Sequence, residues 1–232
     1  MRQYDFLVPA PTAEKLHWGF RYLMFSVIFL PRILQTVFIL LSVELSAPVL
    51  NFLYVGIDFG VMLALFGKYF LNSLQAALSH PRRTVLTFVA GFCVYWTVNI
   101  LMGIRLSAAV SEFSNINDQT VTNLTHDSLY LTILTTVVMA PFTEEFMFRT
   151  VLFRSFFRHS AFAGYSISIL CFCAVHVIRY IGIAPAEFLL LSFLQYIPAG
   201  VCLAVSYQLG GSVIVPIAIH AAVNAIGIFI TR

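Results

Sequence analysis

Long apolar runs separated by short polar loops restrict this chain to a membrane fold. They lie at about residues 20–43, 49–67, 84–104, 129–153, 161–181, 187–208 and 212–230. A helix needs about 20 apolar residues to cross a hydrocarbon core of ~30 Å. Pro31 and Arg32 interrupt the first run and allow a break there. We therefore predict an all-α, polytopic membrane helical bundle with about seven to eight transmembrane helices.

Composition supports the same class and excludes others. The 232 residues are 60% hydrophobic and 10% charged, whereas soluble domains average about 25% charged residues. A soluble fold could not cover so much apolar surface. The sequence has no internal repeat or low-complexity tract, so we predict a single integral membrane domain over residues 1–232. The net charge of +3 is small and dispersed, which favours membrane lipid as a partner and argues against nucleic acid.

The basic residues predict how the chain sits in the membrane. They cluster before the first run and after the second and fourth, at Arg2, Lys15, Arg21, Lys68, Arg82, Arg83, Arg154 and Arg158. The 106–127 segment instead carries Glu112, Asp118 and Asp127 and no Lys or Arg. Because basic loops stay in the cytoplasm, we expect a plasma-membrane protein with a cytoplasmic N-terminus, and the 106–127 segment and the C-terminus outside.

Two segments between the runs have less certain structure from sequence. Residues 70–78 (FLNSLQAAL) suggest a short interfacial helix before the basic turn at His80 and Pro81. The 106–127 segment is rich in Ser, Asn and Thr and suggests either an outer amphipathic piece or a flexible loop.

Polar side chains inside the last apolar runs carry the functional information. They form three clusters, Glu144-Glu145-x-x-x-Arg149, Phe172-x-x-x-His176 and His220-x-x-x-Asn224. An ionisable group in hydrocarbon costs about 2.5–3.5 kcal/mol on insertion scales, so it indicates function by default. Carboxylates, imidazoles, a guanidinium and an amide together can activate water and hold an oxyanion.

Each cluster taken alone also has a structural interpretation. Glu145 and Arg149 are i,i+4 neighbours that can form an ion pair at the membrane interface, while Glu144 points about 100° away and needs another partner. His176 can be a satisfied core histidine, and His220 with Asn224 can be an interhelical hydrogen-bond pair. Asp58, a lone acid in the second run, either pairs with a distant base or lines a cavity. The combination of three complementary clusters favours one shared site.

The clusters, in this order and spacing, resemble the CPBP family. That family contains the type II CAAX prenyl endopeptidases and the bacteriocin-processing or "abortive infection" membrane proteins. Its pattern is Glu-Glu-x-x-x-Arg, Phe-x-x-x-His and His-x-x-x-Asn or Asp, matched here by EEFMFR at 144–149, FCAVH at 172–176 and HAAVN at 220–224. The resemblance covers about residues 130–230, which would form the catalytic core.

The resemblance implies a glutamate-dependent intramembrane endopeptidase with a cavity open to membrane or cytoplasm. By motif position, Glu144 and His176 would activate water, and His220 and Asn224 would stabilise the oxyanion. Glu145 and Arg149 would hold the geometry of the site. The family also implies a membrane-associated or lipidated peptide or protein as substrate. The length and character of the chain look bacterial, which favours a leader peptide or another small membrane-associated peptide.

Alternatives remain at this stage. Two His and two Glu could surround zinc, but no His-Glu-x-x-His motif is present, so we predict no metal or other cofactor and keep zinc as the alternative. A non-catalytic scaffold or bacteriocin self-immunity protein on the same fold is the second function. A proton-coupled transporter would require pseudo-repeated halves, which the sequence does not show.

Overall fold

The computed structural model describes residues 6–110 and 113–230, and within these ranges the chain is all-α without strands. The helices are α1 (Ala13–Ile28), α2 (Leu30–Leu40), α3 (Ala47–Ser79), α4 (Pro81–Ala109), α5 (Ile116–Asp127), α6 (Leu129–Phe157), α7 (Ala161–Val177), α8 (Ala186–Gly210) and α9 (Ile214–Ile230). A 3₁₀ turn, Ile178–Tyr180, extends α7. The predicted all-α membrane bundle is confirmed.

The number of spanning helices depends on how the first apolar run is counted. Five helices in the described part are long and apolar enough to cross a membrane, namely α3, α4, α6, α7 and α8. The first run is two helices, α1 and α2, bent by 50°, and counting them as one span gives six. Pro31 follows the break at Phe29, as expected for a residue that cannot donate a helical hydrogen bond. The seventh predicted run is α9, an apolar helix of 17 residues.

Residues 70–78 and the 116–127 part of the second segment are helical. Residues 70–78 are not a separate interfacial helix, because α3 runs unbroken through them to Ser79; the segment contains no Pro or Gly that would end the helix. The end of the 106–127 segment forms α5, whose N-cap Asn115 accepts hydrogen bonds from the backbone of Asn117 and Asp118 at 3.0 and 3.3 Å.

Helix α6 lies at the centre of the bundle. Half of the residues in its apolar window are buried, and it packs against α1, α3, α7 and α9. Phe146 of α6 is fully buried and its ring packs against those of four aromatic side chains, Phe66, Tyr69, Phe70 and Phe142. Aromatic packing of this kind contributes beyond the apolar area that it buries, so it fixes the position of α6.

Residues at the helix ends that carry predicted cytoplasmic charges meet the connecting segments at one end of the bundle. Leu7 N donates to Gly211 O at 2.9 Å, and Arg83 Nε donates to Leu209 O at 2.7 Å. Arg154 Nη2 donates to Val8 O at 2.8 Å. Helix α5 contacts the opposite end of α8, through a bond from Ile116 N to Ser192 Oγ at 3.4 Å. Arg2 and Glu112, which also entered the orientation prediction, lie outside the described residues.

Candidate active site

A cavity of about 390 Å³ lies between the helices, on the side of the bundle that α5 covers. Glu144, His176, His220 and Asn224 all line this cavity. Glu145 and Arg149 do not line it and are completely buried behind it. The three sequence clusters therefore meet at one place, as a shared site requires.

The helical backbone of α6 is irregular on both sides of Glu144 and Glu145, and the two side chains lie in different environments. The helix contains two π-helical segments, Ile133–Met139 and Phe146–Phe153, on either side of the turn with the carboxylates. Such segments are rare and occur often at functional sites. Ala140 N–H bonds to Thr135 O in the π pattern. The next donor in that pattern would be residue 141, but Pro141 has no N–H, so the carbonyl of Thr136 lacks its helical partner.

Asn224 of α9 compensates for this missing hydrogen bond. Its Nδ2 donates to Thr136 O at 2.8 Å. One hydrogen of the amide is used there, and the amide carries a second. Asn224 thus joins α9 to the irregular turn of α6 and still has a donor for a group in the cavity.

Glu145 and Arg149 form the ion pair that their spacing predicts. Arg149 Nε lies 3.0 Å from Glu145 Oε2, and neither side chain is exposed. Arg149 Nη1 also donates to Ser168 Oγ at 2.8 Å, and its guanidinium lies 5.0 Å from the centre of the Phe172 ring. A buried pair of this kind needs such additional partners to offset desolvation. The pair is buried between helices and does not reach lipid headgroups.

Glu144 is the carboxylate that faces the cavity, with 24% of its side chain exposed. Its Oε2 lies 3.6 Å from His176 Nε2 and 4.0 Å from His220 Nε2. Both distances exceed those of a good direct hydrogen bond, and no protein group within the described residues hydrogen-bonds to this oxygen. Glu144 Oε2 is therefore a buried acceptor, close to both imidazoles, whose hydrogen-bonding capacity is unused by protein groups in the described part of the chain.

The orientation of His176 leaves one basic nitrogen in the cavity. Its Nδ1 lies 2.7 Å from the backbone oxygen of Phe172. Because a carbonyl oxygen only accepts, Nδ1 carries the proton, and Nε2 of the neutral ring faces Glu144 with a free lone pair. The centroid of its ring lies 4.6 Å from that of Phe172 and 4.2 Å from that of Tyr196.

His220 connects the two carboxylates. Its Nδ1 lies 3.1 Å from Glu145 Oε1, and its Nε2 faces Glu144. The Glu145 carboxylate accepts from Nδ1 and supplies a counter-charge when the ring carries both protons. In that form, Nε2 is a hydrogen-bond donor directed into the cavity.

Several cavity residues were not singled out in the sequence as part of the site. They include Tyr196, Asn99, Gln195 and residues 115, 117 and 118. Asp58 also lines the cavity and accepts from Tyr22 OH and Ser26 Oγ at 2.7 Å each. No sequence signal marks Tyr196, because one more tyrosine in an apolar helix is unremarkable in composition.

The described residues contain no group of three or more His, Cys, Asp or Glu arranged to hold a metal ion. The cysteines are free, and none of them lines the cavity. The motif residues thus bring one carboxylate, two imidazoles and one amide into the cavity, backed by a buried ion pair.

Comparison with known proteins finds a similarity over the part of the chain that contains the site. Among curated proteins and among solved structures, no match to this chain was found. Residues 126–226 match the family model described as type II CAAX prenyl endopeptidase Rce1-like. The matched residues include all three polar clusters, α6 to α8 and most of α9. The segment that carries the buried site is therefore similar to the type II CAAX prenyl endopeptidase Rce1-like family.

Proposed function

We propose that the chain is an intramembrane endopeptidase of the glutamate-dependent type, in which Glu144 and His176 activate the attacking water. One observation carries the proposal: Glu144 Oε2 lies 3.6 Å from the free nitrogen of His176, inside a cavity that His220 and Asn224 also line. A water lying beside this gap can hydrogen-bond to both atoms. General acid–base catalysis by two such groups contributes typically about 10²–10⁴-fold.

The proposed reaction begins with attack of this water on the peptide carbonyl carbon. The water oxygen forms a bond to carbon, and its proton passes to Glu144 or to His176 Nε2. The carbonyl oxygen takes the electron pair and becomes an oxyanion. The C–N bond then breaks, the leaving nitrogen takes the proton that the water gave up, and the products are a new carboxyl end and a new amine.

His220 and Asn224 are the proposed donors to the oxyanion. Asn224 has one amide hydrogen that Thr136 does not use, and His220 can donate through Nε2 when both of its nitrogens carry protons. Donors fixed in advance are effective in a site that excludes bulk water; removing one costs about 10²–10³-fold in kcat in a well-studied protease. Glu145 and Arg149 hold His220 and the turn of α6 in place.

The proposed substrate is a membrane-associated or lipidated peptide or protein. The cavity volume of about 390 Å³ is at the low end of ligand sites, so it admits a short extended segment and no folded domain. Its position inside an apolar bundle favours a segment that reaches the site from the membrane. A small bacterial leader peptide fits both requirements.

The test compares peptide ends produced in isolated membranes by the wild-type protein and by Glu144→Gln and His176→Ala variants. N-terminal labelling and mass spectrometry should detect new amino termini with the wild type and none with either variant. Glu187→Gln, a change at an exposed glutamate at the start of α8, should retain them. Cleavage that persists in both site variants would refute the mechanism. A wild type that generates no new termini would favour a scaffold or immunity role.

The same preparation decides between a metal-free mechanism and the zinc alternative. We expect the protein to cleave after chelation, with no stoichiometric metal found by elemental analysis. Activity that is lost on chelation and restored by Zn²⁺ would keep the peptidase and replace its mechanism with a zinc-bound water.

A further inference from the structure

Two aromatic rings contact the ring of His176, and the centroids of these two rings lie 6.2 Å apart. The Tyr196 ring lies 4.2 Å away between centroids and inclined by 29°, which is a stacked arrangement. Phe172 lies on another side at 4.6 Å and 53°. Phe172 also belongs to the family motif and supplies the carbonyl that accepts from Nδ1, whereas Tyr196 comes from a different helix, α8, and lies outside the three motifs.

The hydroxyl of Tyr196 is fixed by α5. Asn117 Nδ2 donates to it at 3.1 Å, and the hydroxyl donates to Asp118 Oδ1 at 3.2 Å. Asn115 Oδ1, the N-cap oxygen of α5, lies 3.5 Å from the same hydroxyl. One aromatic side chain thus joins the first turn of a short polar helix to the imidazole of the proposed base.

Helix α5 is itself anchored to the helices that carry these rings. Asn115 Nδ2 donates to Gln195 Oε1 at 3.1 Å, and Tyr180 OH donates to Thr120 Oγ1 at 2.7 Å. These contacts tie α5 to α8 and to the end of α7. The position of α5 over the cavity is therefore transmitted to the ring of Tyr196.

We propose that Tyr196, fixed by the first turn of α5, is a positioning residue that holds the His176 imidazole in the plane needed for proton transfer with the water at Glu144. This inference rests on the proposed function. The bond from Nδ1 to the Phe172 carbonyl fixes one atom of the ring and leaves rotation about that contact. Stacking on Tyr196 removes this freedom and keeps Nε2 directed at Glu144.

The expected effect is on turnover and not on substrate binding. A misplacement of about 1 Å in a reacting group can cost about 10²-fold in rate. Tyr196→Leu removes the stack, so we expect kcat to fall about 10- to 100-fold while KM changes less than about threefold. Tyr196→Phe keeps the ring and loses only the polar contacts, so we expect a loss of about two- to fivefold.

Tyr180→Phe is the matched control. It also removes one hydroxyl that bonds α5, but no contact between Tyr180 and His176 is described. We expect kcat to stay within about twofold of the wild type, because the cost of one neutral hydrogen bond falls on stability. A loss equal to that of Tyr196→Leu would show that docking of α5 matters and the stack does not, and would overturn the proposal.

A second measurement does not require cleavage. Diethyl pyrocarbonate acylates unprotonated imidazole nitrogens, and mass spectrometry gives the rate at each histidine. In Tyr196→Leu we expect faster modification at His176 and an unchanged rate at His220, which does not contact Tyr196 in the described contacts. If the wild type cleaves nothing, the proposed function fails, and these rates still decide whether Tyr196 restrains His176.

Two outcomes would overturn the inference. One is a folded Tyr196→Leu protein with wild-type kcat and wild-type His176 reactivity. The other applies if Tyr196→Leu does not fold, so that Tyr196→Phe becomes the deciding variant. A Tyr196→Phe protein unchanged in both kcat and His176 modification would then refute the role of α5.

Discussion

Helices α4 and α6 have similar apolar composition and opposite surroundings. The spans have mean hydropathies of 1.8 for Pro81–Leu106 in α4 and 1.3 for α6, yet 6% of the first window is buried and 50% of the second. Helix α4 is regular throughout, whereas α6 contains two π-helical segments and the buried Glu145–Arg149 pair. Apolar composition identifies a membrane helix, and charge inside it identifies the helix that carries chemistry. The same substitution should therefore have different effects in the two helices.

The largest difference is expected for arginine. Arg149→Met removes the partner of the buried Glu145, which should cost about 3–5 kcal/mol in free energy of unfolding, because an uncompensated charge remains inside the protein. Arg105→Met on the exposed side of α4 should cost less than about 0.5 kcal/mol. Unfolding in mixed detergent micelles, followed by circular dichroism, measures both. Equal costs would contradict the contrast between the two helices.

A purely apolar change should give the next largest difference. Leu152 of α6 is 1% exposed and Leu101 of α4 is 57% exposed. Leu152→Ala leaves a cavity in the packed centre and should cost about 2–4 kcal/mol, while Leu101→Ala faces outward and should cost less than about 0.5 kcal/mol. The same unfolding assay applies. A stable Leu152→Ala protein would mean that α6 can repack.

Asn224 of α9 and Asn99 of α4 test whether the irregular backbone of α6 depends on a side-chain hydrogen bond. Asn224→Leu removes the donor that replaces the missing N–H of Pro141. The Thr136 carbonyl is then left without a hydrogen bond, which should cost about 1–3 kcal/mol in free energy of unfolding. Asn99→Leu in α4 removes only a bond to Tyr95 O, an oxygen four residues earlier in a regular helix. We expect that loss to be within about 0.5 kcal/mol. Cleavage should fall with Asn224→Leu alone; similar losses in both would argue against its special role.

The smallest effect is expected around Asp58, a buried aspartate that lines the cavity. Tyr22→Phe removes one of the donors to Asp58, while Ser26 still donates to both of its oxygens at 2.7 and 2.8 Å. We expect a loss of about 0.5–1.5 kcal/mol in stability and unchanged cleavage. A drop in cleavage as deep as that of Glu144→Gln would extend the site to α1 and α3, and so weaken the distinction between the central helix and the outer ones.

Sequence spacing predicted contacts between residues of the same helix. Glu145 and Arg149 are one turn apart, so their pairing follows from helix geometry alone. The meeting of Glu144, His176 and His220 is a tertiary contact between three helices, and only the order and combination of their clusters indicated it. Tyr196 could not be found in this way, because its role depends on stacking across helices. The continuity of α3 was missed because polar residues at 70–78 resemble an interfacial segment while remaining compatible with a helix.

The π-helical segments also affect how α6 tolerates changes in chain length. The hydrogen bonds of a π-helical turn join residues i and i+5, so the turn contains more residues than an α-helical turn. Deleting one residue within Ile133–Met139 can therefore be absorbed by conversion to α-helix, with the carboxylates still facing the same neighbours. The α-helical turn Ala140–Glu145 has no extra residue that it could lose. Deleting one residue there turns Glu144 by about 100° away from the cavity. Insertions and deletions in the central helix of homologous chains should accordingly accumulate in the π segments and avoid the short turn between them.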